Sequence, residues 1–333
     1  MDTQQDMLAQ DPTQLVWNLI NAHAVARCMQ LVAEFGVADV LGDAPATAAD
    51  LAAGTGLDAD ALDRMLRLLV AHNVFAVDAQ GYQHTPASQL LRSAHPRSLR
   101  AFARMIGLPA VWHGFTALRH AATTGRPEQD WPALLAHFDA HPDEAQLFNQ
   151  AMVAKSMATI PAVVDAYDFT GFRRIADVGG GRGHLLQAIL ERAPGATGVL
   201  FDLPRVIADA SGAASPRLEL VAGDFFADPL PTADGYVLME VLHDWNDADA
   251  MRILRALRAA APSGARLLIS ETVIPDGPDP HPGKVLDIIM LAVTGGRERT
   301  AEAYRALLER SGWRMQRVIA TASAHSLVEA TPA

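Results

Sequence analysis

The sequence holds one cysteine, Cys28, in 333 residues. A chain with one thiol has no internal disulfide framework, which suits a reducing cytoplasm. It contains no apolar run near the ~20 residues that a membrane helix needs, so no membrane partner is expected. It is also short of basic residues, with 27 Lys and Arg against 38 Asp and Glu and a net charge of −11. Nucleic-acid affinity rests mainly on Lys and Arg neutralising phosphates, so a nucleic-acid partner is not expected. The opening stretch MDTQQDMLAQDPTQ lacks a basic n-region and an apolar h-region, so no secretory leader is expected. There is no internal repeat and no low-complexity tract.

What is present is an apolar half: 50% of the residues are hydrophobic, enough for one large domain or two ordinary ones. From Leu15 to Leu41 apolar residues recur at helical spacing on more than one face, as in a core helix or one buried against a second subunit. Thr47 can cap a short helix that Gly54 and Gly56 break, and Asp58 opens a second helix through Ala71. VFAV and YQHT, around DAQG, read as a strand pair. Helix, turn, helix and hairpin make a winged-helix layout. Residues 1–150 hold nine basic against sixteen acidic residues, so packing is a better use for it than DNA.

From about Arg173 the pattern changes. RRIADV, TGVLFD, RLELVAGD, DGYVLMEVL and ARLLISE alternate with helical stretches, which predicts a parallel sheet covered on both faces. WRMQRVIATA and HSLVEAT read as closing strands, the last antiparallel. Open parallel sheets bind ligands at the carboxyl ends of their strands. Here those ends carry Asp177-Val178-Gly179-Gly180-Gly181-Arg182-Gly183, then Asp202, Gly223-Asp224-Phe225, His243-Asp244-Trp245 and Glu271.

The first of these ends is a glycine turn spaced D-x-G-x-G-x-G. The dinucleotide pattern G-x-G-x-x-G is not met, which makes a nicotinamide dehydrogenase the runner-up. Asp202 at the next strand end suits ribose hydroxyls. Asp224 and Phe225 suit an adenine, its amine and its face. A helix N-cap is the plain alternative for each acid, and Asp244 stays open between site and cap. Glu240 and His243 have Glu-x-x-His spacing, but one copy on a predicted strand does not make a metal site, so no metal is expected.

The ordered set DVGGGRG, FDLP, GDFF, VLHDW, SE and GGRERT resembles the S-adenosylmethionine-dependent small-molecule O-methyltransferases. That family includes plant caffeate- and flavonoid-type enzymes and bacterial enzymes that tailor antibiotics and phenazines. The resemblance implies an α/β class I methyltransferase fold with a Rossmann-like parallel sheet, its last strand antiparallel. It also implies a mainly helical, winged-helix-like dimerisation domain over 1–100, a helical connector over 101–170 that contributes to the substrate pocket, and an S-adenosylmethionine-binding catalytic domain over 171–333.

By the same resemblance Gly179, Gly181, Asp202, Asp224 and Phe225 would hold S-adenosylmethionine. Asp177, Gly180, Gly183 and Leu203 belong to the same motifs, and Trp245 would lie near the adenine. S-adenosylhomocysteine would be the product. His243 matches the general base, flanked by Glu271 and Glu298. Trp112, His113, Phe148, Met152 and Met290 match substrate-lining positions. Met239 stands where the family often has a lysine, and Lys155 where many plant relatives have a histidine.

The expectation is a cytoplasmic homodimer that methylates a phenolic or N-hydroxy group of an aromatic metabolite such as a phenazine or polyketide. An ordinary phenol lies roughly 3.5 pK units above an imidazole. Glu271 or Glu298 bonded to the ring would help support the base, and the nearby sulfonium charge would favour phenolate. Positioning alone is the competitor, since it supplies ~7–11 kcal/mol. Two other readings are a same-fold hydroxylase or decarboxylase and a winged-helix sensor of S-adenosylmethionine.

Overall fold

The computed structural model describes residues 11–333; most of the stretch read for a leader, residues 1–10, lies outside them. The described residues form two compact units, one of residues 11–112 and 141–155, the other of 113–140 and 156–333.

In the first unit, Asp11 caps a helix over Pro12–Glu34 and Pro12 occupies its first position, where a missing N–H costs nothing. The helical run ends short of Leu41. Gly36, at φ 66°, turns the chain into a separate helix over Val37–Leu41. Thr47 and Asp50 form a reciprocal capping box on Ala48–Thr55, and Asp58 caps Ala59–Ala71, as expected from the sequence. Gly54 does not break its helix. A Cβ there would sit 2.5 Å from Val40 Cγ1, so the glycine serves close packing, and Gly56 at φ 74° ends the helix. Strands β1 (Phe75–Asp78) and β2 (Gly81–His84) pair antiparallel. Val32, Leu51, Leu62, Leu66, Leu69 and Phe75 make the core of this unit.

The second unit is built on β3 (Arg174–Val178), β4 (Thr197–Asp202), β5 (Leu218–Ala222), β6 (Gly235–Met239) and β7 (Arg266–Glu271). Two-residue strands β8 (Val273–Ile274) and β9 (Arg299–Thr300) pair with each other, and β10 (Trp313–Ala320) and β11 (Ser326–Pro332) close the chain. The seven-stranded sheet runs β10-β11-β7-β6-β3-β4-β5. β3 to β7 are mutually parallel, and β11 is antiparallel to β7. Successive strand residues face opposite sides. Val199, Tyr236, Leu238 and Ile269 pack in one core, with helices Asp247–Ala260 and Ala301–Glu309. Ile175, Leu200, Val237 and Leu268 pack in the other, with helix His184–Arg192 and residues 160–167. The strand order reverses between β3 and β6, the place where open sheets of this kind bind ligands. No helix among the described residues is long and apolar enough to cross a membrane.

Candidate active site

The site begins where β3 stops. Gly179 adopts φ 73°, a conformation costly for any residue with a Cβ. A Cβ on Gly180 would fall 2.4 Å from the Asp177 carboxyl. A Cβ on Gly181 would meet nothing within 4 Å, so the loop presents bare backbone to open space before Gly183 caps helix His184–Arg192. Beneath the loop, Asp177 is fully buried and neither carboxyl oxygen has a hydrogen-bond partner. Burial and the neighbouring Asp202 carboxylate push it up to about 7, against a pull from the Leu186 backbone. Asp202, at the end of β4, accepts from the N–H of Gly181 at 2.8 Å and of Leu203 at 2.7 Å. Burial raises its carboxyl above the ordinary value despite those two bonds.

After β5, Asp224 accepts from the Phe226 N–H at 2.8 Å, which fixes a tight turn. Phe225, Phe226 and Trp245 then form an edge-to-face trio, with ring centroids 4.7–6.0 Å apart. Aromatic side chains from the ends of β5 and β6 thus come together, as favoured by their quadrupoles.

The fourth strand end departs from the sequence expectation. β6 stops at Met239 because Glu240 takes φ 54°, so His243 lies on a single 3₁₀ turn, Leu242–Asp244, and not on a strand. Val241 and Leu242 continue the apolar run, but as buried core residues. The cap alternative for Asp244 is also resolved: Asn246 caps helix Asp247–Ala260, and Asp244 Oδ1 lies 3.8 Å from His243 Nε2.

The two acids flanking the histidine do different things. His243 is 5% exposed, and its Nδ1 donates to Glu298 Oε1 at 2.7 Å. The second Glu298 oxygen is buried without a hydrogen-bond partner. Glu271 holds the turn's backbone: its Oε1 accepts from the N–H groups of Val241, Leu242 and His243 at 3.2, 2.6 and 3.1 Å. Its Oε2 accepts from the Tyr304 hydroxyl. Burial opposes a charge on the imidazole, but Asp244, Glu298 and Glu271 outweigh it and raise His243 to about 9.

The segment GGRERT is shaped around this turn. A Cβ on Gly296 would land 1.9 Å from the His243 carbonyl oxygen, and the Arg297 N–H donates to that oxygen at 2.8 Å. Gly296→Ala must therefore displace either the turn or the segment carrying Glu298. The expected result is at least a tenfold loss of turnover in a protein that still folds, checked by steady-state rates beside circular dichroism. The sequence offered a signal for this close approach only in the paired glycines.

Of the residues matched to substrate positions, Trp112, Phe148 and Met152 belong to the first unit and His113 and Met290 to the second. Arg27 lies 5.7 Å over the Trp112 ring, His113 bonds Glu128 at 3.1 Å, and Met290 is buried.

A mostly parallel sheet with an antiparallel β11, a glycine loop after β3 and acids at the next strand ends define a class I methyltransferase. A family model for an O-methyltransferase domain matches residues 115–314, and one for an O-methyltransferase dimerisation domain matches 17–93. The chain belongs to the S-adenosylmethionine-dependent O-methyltransferase family. It is 38% identical over 328 residues to the phenazine O-methyltransferase PhzM of Lysobacter antibioticus, covering 96% of each. It is similar to the solved structure of CalO1, a methyltransferase in calicheamicin biosynthesis, with S-adenosylhomocysteine bound. The TM-score is 0.84 at 36% identity, covering 100% of both chains. NcsB1, an O-methyltransferase from neocarzinostatin biosynthesis solved with S-adenosylmethionine and 2-hydroxy-5-methyl naphthoic acid, matches at TM-score 0.78. Its identity is 32%, covering 93% of this chain and 96% of that one.

Proposed function

We propose that the enzyme methylates a phenolic or N-hydroxy group of an aromatic secondary metabolite such as a phenazine or polyketide, with His243 as general base. The observation that carries this reading is the 2.7 Å bond from His243 Nδ1 to buried Glu298. With Nδ1 committed as donor, neutral His243 has Nε2 as its acceptor, in the manner of other acid-supported bases. The names of the relatives, a phenazine enzyme and a naphthoate-bound one, support the acceptor class.

The glycine loop without Cβ atoms, the unpartnered Asp177 carboxyl and the acids ending β4 and β5 fit S-adenosylmethionine. In this reading Asp177, Gly179, Gly180, Gly181 and Gly183 line its amino-acid half, Asp202 with Leu203 beside it takes the ribose hydroxyls, and Asp224, Phe225 and Trp245 its adenine. The cofactor supplies an electrophilic methyl on a positively charged sulfur. Residues 1–100 serve dimerisation, 101–170 contribute to acceptor binding and 171–333 hold the cofactor, with Trp112, His113, Phe148, Met152 and Met290 on the acceptor side.

His243 at about 9 is a stronger base than a free imidazole. That raised value narrows the gap to an ordinary phenol, which for a free imidazole is about 5 kcal/mol. The same shift keeps the ring protonated at neutral pH, so turnover is expected to climb with pH up to about 9. Glu298→Gln removes the carboxylate that stabilises the imidazolium. The expected result is a lower maximal rate, with the break moved down toward the ordinary imidazole value. A pH–rate profile of both proteins checks it; an unmoved break removes Glu298 from the base. The acceptor class is tested with labelled S-adenosylmethionine and a panel of phenols, N-hydroxy-phenazines and polyketides. Label on an oxygen of one panel member supports the reading, and label on none of them contradicts it.

A further inference from the structure

The guanidinium of Arg299 lies next in sequence to Glu298 and is 2% exposed. Nη1 donates to the Leu242 carbonyl at 2.9 Å, and Nη2 to the Trp245 carbonyl at 2.9 Å. Nε and Nη2 both reach Asp247 Oδ1, at 3.0 and 2.9 Å. These two carbonyls bracket the turn that carries His243. On the opposite side, Glu271 accepts the turn's three successive N–H groups. An anion therefore meets the N–H end and a cation the carbonyl end, each complementing the dipole of the turn. Arg299 also begins β9, which pairs with β8, so one residue ties the histidine's turn to the strand that follows Glu298.

We propose that Arg299 is a positioning residue for methyl transfer, setting the register between the His243 turn and Glu298. It reaches neither reacting group by itself. Its planar fork reaches three carbonyls, those of Leu242, Trp245 and, at 3.5 Å, Arg297, together with a carboxylate, which the single ammonium of a lysine does not reproduce. The proposal rests on the reading of His243 as base, and a double-mutant cycle separates the two.

Arg299→Lys is expected to lower kcat at least tenfold, while the calorimetric Kd for S-adenosylmethionine changes less than threefold. In a His243→Gln background the same substitution is expected to cost less than twofold, because the group it positions is already gone. An undiminished loss in that background overturns the positioning role and leaves the base intact. A loss under tenfold from His243→Gln alone overturns the base reading. Should Arg299→Lys fail to fold, Asp247→Asn keeps the arginine and removes its half-exposed carboxylate. A kcat loss of about threefold that vanishes in the His243→Gln background supports the proposal, and an additive loss contradicts it.

Discussion

His243→Gln is expected to lose between about 10² and 10⁴ in turnover, the range that general bases supply, at saturating cofactor. Glutamine keeps a polar side chain of similar reach but cannot take a proton. Glu298 sits 2.7 Å from Nδ1, so the substitution also leaves a buried carboxylate facing an amide. Part of any loss of stability would come from that pair, and the measurement is therefore made below the melting transition of the variant. The dissociation constant for S-adenosylmethionine, read by calorimetry, is expected to stay close to that of the parent. A loss below tenfold would mean that positioning supplies nearly all of the rate.

Asp177→Asn carries the largest expected effect on stability. The carboxyl is fully buried and held at about 7, against 3.8 for an unperturbed aspartate. A folded value above the unfolded one means that stability is present below pH 3.8 and is lost as pH rises through about 7. At one unit per ~1.4 kcal/mol the penalty approaches ~4 kcal/mol above neutrality. The asparagine variant without cofactor is expected to be the more stable protein at pH 8 in denaturant titration, with the difference closing toward pH 4. Such a cost is the kind a ligand site retains. The same variant is accordingly expected to bind S-adenosylmethionine more weakly. Equal stability of the two proteins at pH 8 would show that the carboxyl is not held up by its surroundings.

The pattern of strand ends was readable because it depends on one-dimensional features: apolar runs of strand length, and what stops them. Asp202, Asp224 and Glu271 all stand where those runs stop. The caps at Thr47 and Asp58 were readable for a similar reason, since cap chemistry is local. The strand expected to run up to His243 stops earlier, because a single acid flanked by apolar residues in VLMEVL does not by itself end an apolar run. Glu240 is that interruption, but its left-handed backbone at φ 54° is not announced by a lone charge. Gly54 shows the converse: a glycine reads as a breaker, yet here it answers to Val40, fourteen residues away. Glu271 and Glu298 looked alike in the sequence as acids near a base. The distinction between holding the imidazole and holding the backbone under it exists only in three dimensions. Arg299 stands inside the GGRERT motif, but nothing there marks its guanidinium as buried, since an arginine in a polar segment ordinarily reads as a solvated side chain.

The most direct test of His243 as the base varies the acidity of the acceptor. Single-turnover methyl transfer is measured for the parent and for His243→Gln across phenols of graded pKa. The account predicts that the variant's deficit grows with acceptor pKa and shrinks for phenols already ionised at the assay pH. A deficit of the same size for every phenol, ionised or not, would contradict it and assign His243 to shaping the site alone.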